Sequence, residues 1–231
     1  MRYQHIFFDL DHTLWDFEAN ARNTLEVLYT EFALEELGVP GFDRFHSTYS
    51  AHNERLWERF RRGEIKRELL RWKRVWLTLL EFKIADEALA RRFGAAFIDL
   101  LPSRKQLFPG TLEVLDYLQG KGYPLHLITN GFEETQHLKL RHAGLSAYFT
   151  HVVTSESAGS LKPHPGIFRY ALELAGTRAV DAVMIGDALA VDIRGARDAG
   201  MDQIYFNPAI PAEGITPTYT INSLLELKDI L

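Results

Sequence analysis

Ile6-Phe7-Phe8-Asp9-Leu10-Asp11-His12-Thr13-Leu14 is an apolar run that ends in two carboxylates two residues apart. A short apolar run bounded by polar residues reads as a buried strand. Side chains alternate along a strand, so Asp9 and Asp11 point the same way if the chain stays extended through them, and one pocket would then hold both. Two neighbouring anions repel unless a cation sits between them, so the pair suits a proton-sharing dyad or a divalent metal site. The structural alternative is that one carboxylate caps a helix and the other is solvated, since Asp is a common N-cap and turn former.

Beyond this stretch, the chain outside residues 16–105 alternates short apolar runs with amphipathic segments. That alternation predicts an α/β fold, a Rossmann-like doubly wound parallel sheet covered by helices. The expected strands are His5–Phe8, Leu125–Ile128, His151–Val153, Ala182–Ile185 and Gln203–Phe206. Expected helices run over Thr111–Gln119, Thr135–Ala143, Pro165–Ala175 and Asp192–Ala199, with Gly144 and Gly200 as C-terminal caps. Ser223 followed by Glu226 is a capping-box pattern that opens a last helix toward Leu231. Asp16 to Lys105 reads instead as almost continuous amphipathic helix, broken near Gly38-Val39-Pro40-Gly41 and Gly63. The expected division is therefore an α/β domain from residues 1–15 and 106–231 and an all-helical insert over 16–105.

Composition narrows the class. The 231 residues, 46% apolar and 25% charged, are enough for a substantial core and place the chain among soluble globular proteins. With no cysteine there is no disulfide framework, thiolate zinc site or cysteine nucleophile, and the cytoplasm is the expected compartment. No secretory leader and no spanning apolar stretch is read in the sequence, so a membrane is not an expected partner. The net charge of −5 argues against a nucleic-acid polymer as partner. That charge is uneven: residues 16–105 carry a net +1 and the remainder −6, so the two regions differ in more than secondary structure. None of the nine histidines has metal-site spacing, so no zinc is assigned.

Ligands of doubly wound sheets sit at the carboxyl ends of the strands. Here the first strand ends in Asp9 and Asp11, and the second in Thr129-Asn130-Gly131. The third leads to Lys162-Pro163, and the fourth ends in Gly186-Asp187 with Asp192 five residues on. Four carboxylates, one hydroxyl and one ammonium would converge, with Lys162 the only lysine expected near them. A magnesium ion and Lys162 offset most of that negative charge, and phosphate becomes a reasonable guest.

These four pieces, in this order and around a helical insert, resemble the haloacid dehalogenase superfamily of phosphotransferases over nearly the whole chain. The insert looks like the cap called type C1. Phe8-Asp9-Leu10-Asp11-His12-Thr13-Leu14-Trp15-Asp16, with Thr129-Asn130-Gly131-Phe132, is most similar to the pyrimidine 5′-nucleotidase branch. The resemblance implies that Asp9 is the nucleophile that forms an aspartyl phosphate, and Asp11 the general acid and base. It implies that Thr129, with the backbone N–H groups of Asn130 and Gly131, binds the transferring phosphoryl, and that Lys162 stabilises nucleophile and phosphoryl charge. Magnesium would be held by Asp9, the Asp11 backbone carbonyl and Asp187, with Asp192 a direct or supporting ligand whose alternative is a helix cap. Thr13 would organise the loop after the nucleophile. Family members often carry Ser or Thr immediately after the Gly-Asp pair, where this chain has Ala188, so one expected hydrogen bond is missing but no essential group is.

The implied activity is magnesium-dependent hydrolysis of a small phosphorylated metabolite, preferably a nucleoside 5′-monophosphate, with the cap setting specificity. A sugar-phosphate phosphatase or phosphomutase keeps the same core residues. The family's dehalogenases lack an acid at the position of Asp11, and a non-catalytic phosphate-binding or docking module would have lost at least one of the reactive groups. Trp57, Phe60, Trp72 and Trp76 suit either base stacking or, better on their helical spacing, core packing. The basic run Arg59 to Arg74 reads as a solvated face, and Asp16 and Phe17 as substrate-contact or hinge residues.

Overall fold

The computed structural model describes residues 2–206 and 214–231, which fall into two compact units, Met1–Phe17 with Lys105–Leu231 and Glu18–Arg104. In chain order the elements are β1 His5–Phe8, α1 Phe17–Glu31, α2 Phe42–Arg61, α3 Arg67–Glu81, α4 Glu87–Leu100, α5 Thr111–Gly120 and β2 Leu125–Thr129. There follow α6 Glu133–His142, β3 Phe149–Thr154, α7 Pro165–Ala175, β4 Ala182–Gly186, α8 Arg194–Asp198, β5 Asp202–Phe206, β6 Tyr219–Ile221 and α9 Leu227–Ile230. Among the described residues no helix is long and apolar enough to cross a membrane.

The larger unit is an α/β fold: one six-stranded sheet, all parallel, in the order β3-β2-β1-β4-β5-β6. Phe8 pairs with Leu127 on one side and Ile185 on the other, so the carboxyl ends of β1, β2 and β4 lie level with one another. The central strands β2 and β4 are buried along their whole length, and β4 is an unbroken apolar run. Phe7, Ile128 and Met184 pack with Ile167 and Phe168 of α7 and Ala196 of α8. Each large apolar side chain buried this way contributes roughly 1.5–3 kcal/mol.

Three of the differences from expectation have physical reasons. The edge strand β6 is only three residues long, too short for a period-two pattern to register. Helix α6 starts at Glu133, two residues early, with Glu133 and Glu134 both in its positively polarised first turn. The helix expected from Asp192 is instead a π-turn over Leu189–Ile193 followed by α8, because the Ala188 carbonyl accepts from the N–H groups of Val191, Asp192 and Ile193. The Ser223–Glu226 capping box forms as expected, opening a 3₁₀ turn that runs into α9.

A row of histidines crosses β1, β2 and β3. The His126 ring stacks on His5 at 5.3 Å, on His151 at 5.3 Å and on Phe7 at 4.7 Å, and is 1% exposed. Burial, then the neighbouring His5 and His151, pulls its pKa down to about 3. His126 is thus neutral in the fold, while an unfolded chain takes up its proton below about pH 6.5, so stability is lost as pH falls through that value. Between pH 7.5 and 5, urea unfolding of the wild type is expected to lose about 1–2 kcal/mol more than that of His126→Phe. Parallel pH profiles for the two proteins would refute this.

In the helical unit, α2, α3 and α4 pack through Phe45, Tyr49 and Leu56, Leu70, Val75 and Leu79, and Phe93 and Phe97, at the spacing of one helix face. Trp72 and Trp76 are not among the fully buried residues of this core, contrary to the expectation of core packing. They are half-buried, 6.5 Å apart edge to face, with the Arg91 guanidinium 3.9 Å above the Trp72 ring. The cation covers the ring's π-face, which provides an alternative to burial. Trp57 and Phe60 are likewise half-buried. Of the basic run, Arg74 departs from a solvated face: it is 4% exposed, donates to Asn53 at 2.8 Å and lies 5.0 Å over Phe97.

Candidate active site

The chain leaves β1 and turns at once. The Leu10 carbonyl accepts from the N–H groups of Thr13, Leu14 and Trp15, and His12 adopts a positive φ of 66°. The chain thus turns immediately after Asp11. The two carboxylates have different partners: Asp9 is bonded by Lys162, and Asp11 by Gln136 and Lys139 of α6.

Asp9 is 7% exposed, and its Oδ1 accepts from Lys162 Nζ at 2.6 Å. The same ammonium donates to the Ile128 carbonyl at 2.7 Å and pairs with Asp192 Oδ1 at 2.7 Å. The Asn130 side chain grips the Lys162 backbone from both sides, accepting from its N–H at 2.7 Å and donating to its carbonyl at 2.9 Å. The end of β2 therefore fixes the lysine that reaches β1. Asp187 accepts from Thr13 Oγ1 at 3.2 Å, which ties the loop after β1 to the end of β4. Asp192 Oδ2 accepts from the Ala188 N–H at 3.0 Å, so backbone is the donor at the residue where a hydroxyl was absent. Gly186 has no side chain because a Cβ there would occupy the place of the Asp192 carboxylate.

One carboxylate oxygen from each of Asp9, Asp187 and Asp192 lies within 4.8 Å of the others. Burial raises the Asp9 carboxyl well above its ordinary value, and Asp192 and Asp187 add to burial in outweighing the opposing pull of Lys162. Burial and then Asp192 push Asp187 up to about 6. For Lys162 burial works downward, and Asp192 and Asp9 together overcome it, so the ammonium stays charged. Three carboxylates against one ammonium leave an excess of buried negative charge, and their hard oxygens suit a divalent cation such as magnesium. The Asp11 carboxylate is not part of this cluster.

Asp11 binds α6 instead. Its Oδ1 accepts from Lys139 Nζ at 2.6 Å and its Oδ2 from Gln136 Nε2 at 3.0 Å. The same Gln136 amide donates to Thr129 Oγ1 at 2.7 Å, and Thr129 also accepts from the Gly131 N–H at 3.1 Å. Lys162 is thus not the only lysine at the strand ends: Lys139 is a second, 3% exposed. Gln136 and Lys139 escaped the sequence reading, although two polar residues three apart on the helix leaving the Thr129-Asn130-Gly131 turn were a usable signal.

Residues 3–200 match the family model of the haloacid dehalogenase-like hydrolases. The chain belongs to that family. This haloacid dehalogenase-like hydrolase is 32% identical to YfnB of Bacillus subtilis (strain 168), covering 100% of this chain and 96% of YfnB. It is also 32% identical to pyrimidine 5′-nucleotidase YjjG of Escherichia coli (strain K12), over 100% and 99% of the two chains. Among solved structures, that of Bacillus subtilis YfnB bound to magnesium superposes with a TM-score of 0.88 at 30% identity, over 100% and 99%. A 2-haloacid dehalogenase from Pseudomonas syringae superposes with a TM-score of 0.67 at 29% identity, over 99% and 97%.

Proposed function

We propose that this hydrolase is a cytoplasmic, magnesium-dependent phosphomonoesterase acting on nucleoside 5′-monophosphates through an aspartyl-phosphate intermediate. The observation that carries the reading is the placement of Asp9: buried, tied through Oδ1 to Lys162 and clustered with Asp187 and Asp192. The substrate class is supported by full-length similarity to a pyrimidine 5′-nucleotidase. The division into a catalytic domain, residues 1–15 and 106–231, and a specificity-setting cap, residues 16–105, belongs to the same proposal.

In the first step an Asp9 carboxylate oxygen attacks phosphorus, the bond from phosphorus to the leaving oxygen breaks, and Asp11 supplies the proton that makes the leaving group an alcohol. In the second, Asp11 takes a proton from water, water oxygen bonds to phosphorus, and the bond to Asp9 breaks, freeing phosphate. Lys162 holds Asp9 in place and offsets charge on the phosphoryl oxygens, while Thr129, Asn130 and Gly131 line the phosphoryl position. Asp9, Asp187, Asp192 and the Asp11 backbone carbonyl are the residues that would hold magnesium. When bound, the ion neutralises the carboxylate cluster and the charge of the phosphoryl group.

A dehalogenase shares this fold, as the Pseudomonas syringae structure illustrates. Asp11 argues against that chemistry, because displacement of halide leaves no alkoxide to protonate.

Phosphate release from nucleoside monophosphates, sugar phosphates and 4-nitrophenyl phosphate, with and without magnesium, tests the proposal. The expected result is turnover strongest on nucleotides and lost with a chelator. Magnesium at about 100 times its Kd should also stabilise the fold by about 2.7 kcal/mol, and much less in Asp187→Asn. Preference for sugar phosphates would overturn the substrate, and no release from any compound would overturn the activity.

A further inference from the structure

We propose that Lys139 and Gln136 of α6 are positioning residues that fix the Asp11 carboxylate for proton transfer and couple it to Thr129. This rests on the reading of Asp11 as the acid and base. Both oxygens of Asp11 are held, Oδ1 by Lys139 at 2.6 Å and Oδ2 by Gln136 at 3.0 Å. A carboxylate held by one donor still swings about its side-chain torsions; one held at both oxygens by a single helix has its plane set as well as its place.

The two donors are themselves fixed. Gln136 is fully buried, and its Nε2 is shared between Asp11 and Thr129 Oγ1. Both acceptors lie on its NH₂ side, which sets the orientation of the amide, and Oε1 is left with no hydrogen-bond partner. A side chain held in an orientation that leaves one of its own acceptors unsatisfied is one the neighbouring groups dictate. Gly131 leaves the room: a Cβ at that position would coincide with the Gln136 side chain. Lys139 is clamped from the other side, its ammonium 4.4 Å over the Trp15 ring and 5.5 Å over Phe17. Trp15 closes the loop that carries Asp11, its carbonyl accepting from the His12 N–H at 2.9 Å and its backbone bridging to Asp11. One helix thus grips the Asp11 carboxylate, the ring that closes its loop, and the Thr129 hydroxyl assigned to the phosphoryl group. In that arrangement Lys139 acts on proton transfer and not on substrate capture.

The test is steady-state hydrolysis of uridine 5′-monophosphate in saturating magnesium by Lys139→Met, Lys139→Arg, Asp11→Asn and the double variant Asp11→Asn with Lys139→Met. Methionine keeps a stem over Trp15 and removes the ammonium, its charge and its donors together. We expect kcat of Lys139→Met to fall by about 10- to 100-fold with KM within about threefold, and Lys139→Arg to recover most of the loss, as it keeps the charge-assisted bond. In the Asp11→Asn background the same substitution should change residual turnover by less than about twofold, because its target is gone. Unchanged kcat in Lys139→Met, a loss that appears in KM, equal losses in Met and Arg variants, or full additivity with Asp11→Asn would each overturn the inference. Wild-type turnover in Asp11→Asn would instead overturn the assignment of Asp11.

Discussion

Asp9→Asn is expected to abolish turnover, by about four to six decades in kcat, and to leave a protein that is folded and no less stable than the wild type. The loss follows from chemistry: an amide is a poor nucleophile, and removal of a covalent nucleophile in a well-studied hydrolase costs about six decades. The stability follows from charge. The amide oxygen still accepts from Lys162, which bonds Asp9 Oδ1 at 2.6 Å, so that contact survives. What disappears is one of three carboxylates crowded within 4.8 Å, whose mutual repulsion and burial raise the carboxyl of Asp9. Without added metal the midpoint of thermal unfolding should hold steady or rise. Phosphate release and a melting curve on the same preparation check both halves. Turnover within tenfold of the wild type would remove the covalent mechanism, and a collapsed melting curve would mean that Asp9 is needed to build the site.

The sheet was legible because its central strands are buried on both faces: Ala182-Val183-Met184-Ile185 has no polar residue to disguise it, and a parallel sheet allows few places for the strand ends to go. Convergence of Asp9, Lys162, Asp187 and Asp192 follows from that topology, since β1 lies between β2 and β4 in level register. The partners of Asp11 were not legible. The chain turns directly after Asp11, where three N–H groups converge on the Leu10 carbonyl, and the Asp11 carboxylate meets α6. The partners that receive it, Gln136 and Lys139, are 125 and 128 residues away in sequence, and no local pattern near Asp11 names them. Trp72 and Trp76 show the same limit. Their spacing put both on one helix face, yet a cation from α4, Arg91, covers Trp72 in place of the core.

Lys162→Met should be impaired for a different reason, and its stability should move the opposite way from that of Asp9→Asn. Loss of one group that stabilises developing charge costs about two to three decades in kcat. The fold also suffers, because the ammonium is 2% exposed and faces Asp9 at 2.6 Å and Asp192 at 2.7 Å. Removing one member of a buried ion pair leaves its partners uncompensated, typically at about 3–5 kcal/mol. The Ile128 carbonyl also loses a donor, but Asn130 holds the backbone of residue 162, not its side chain, so the loop keeps its anchor. The penalty should shrink with magnesium, which supplies the missing positive charge to the same carboxylates, and in the double variant with Asp9→Asn, which removes one of them. Thermal melts of the four proteins, with and without the ion, separate these contributions. An unfolding midpoint unchanged by Lys162→Met in metal-free buffer would mean that the ammonium does not balance the cluster, and an unchanged kcat would place it outside the chemistry.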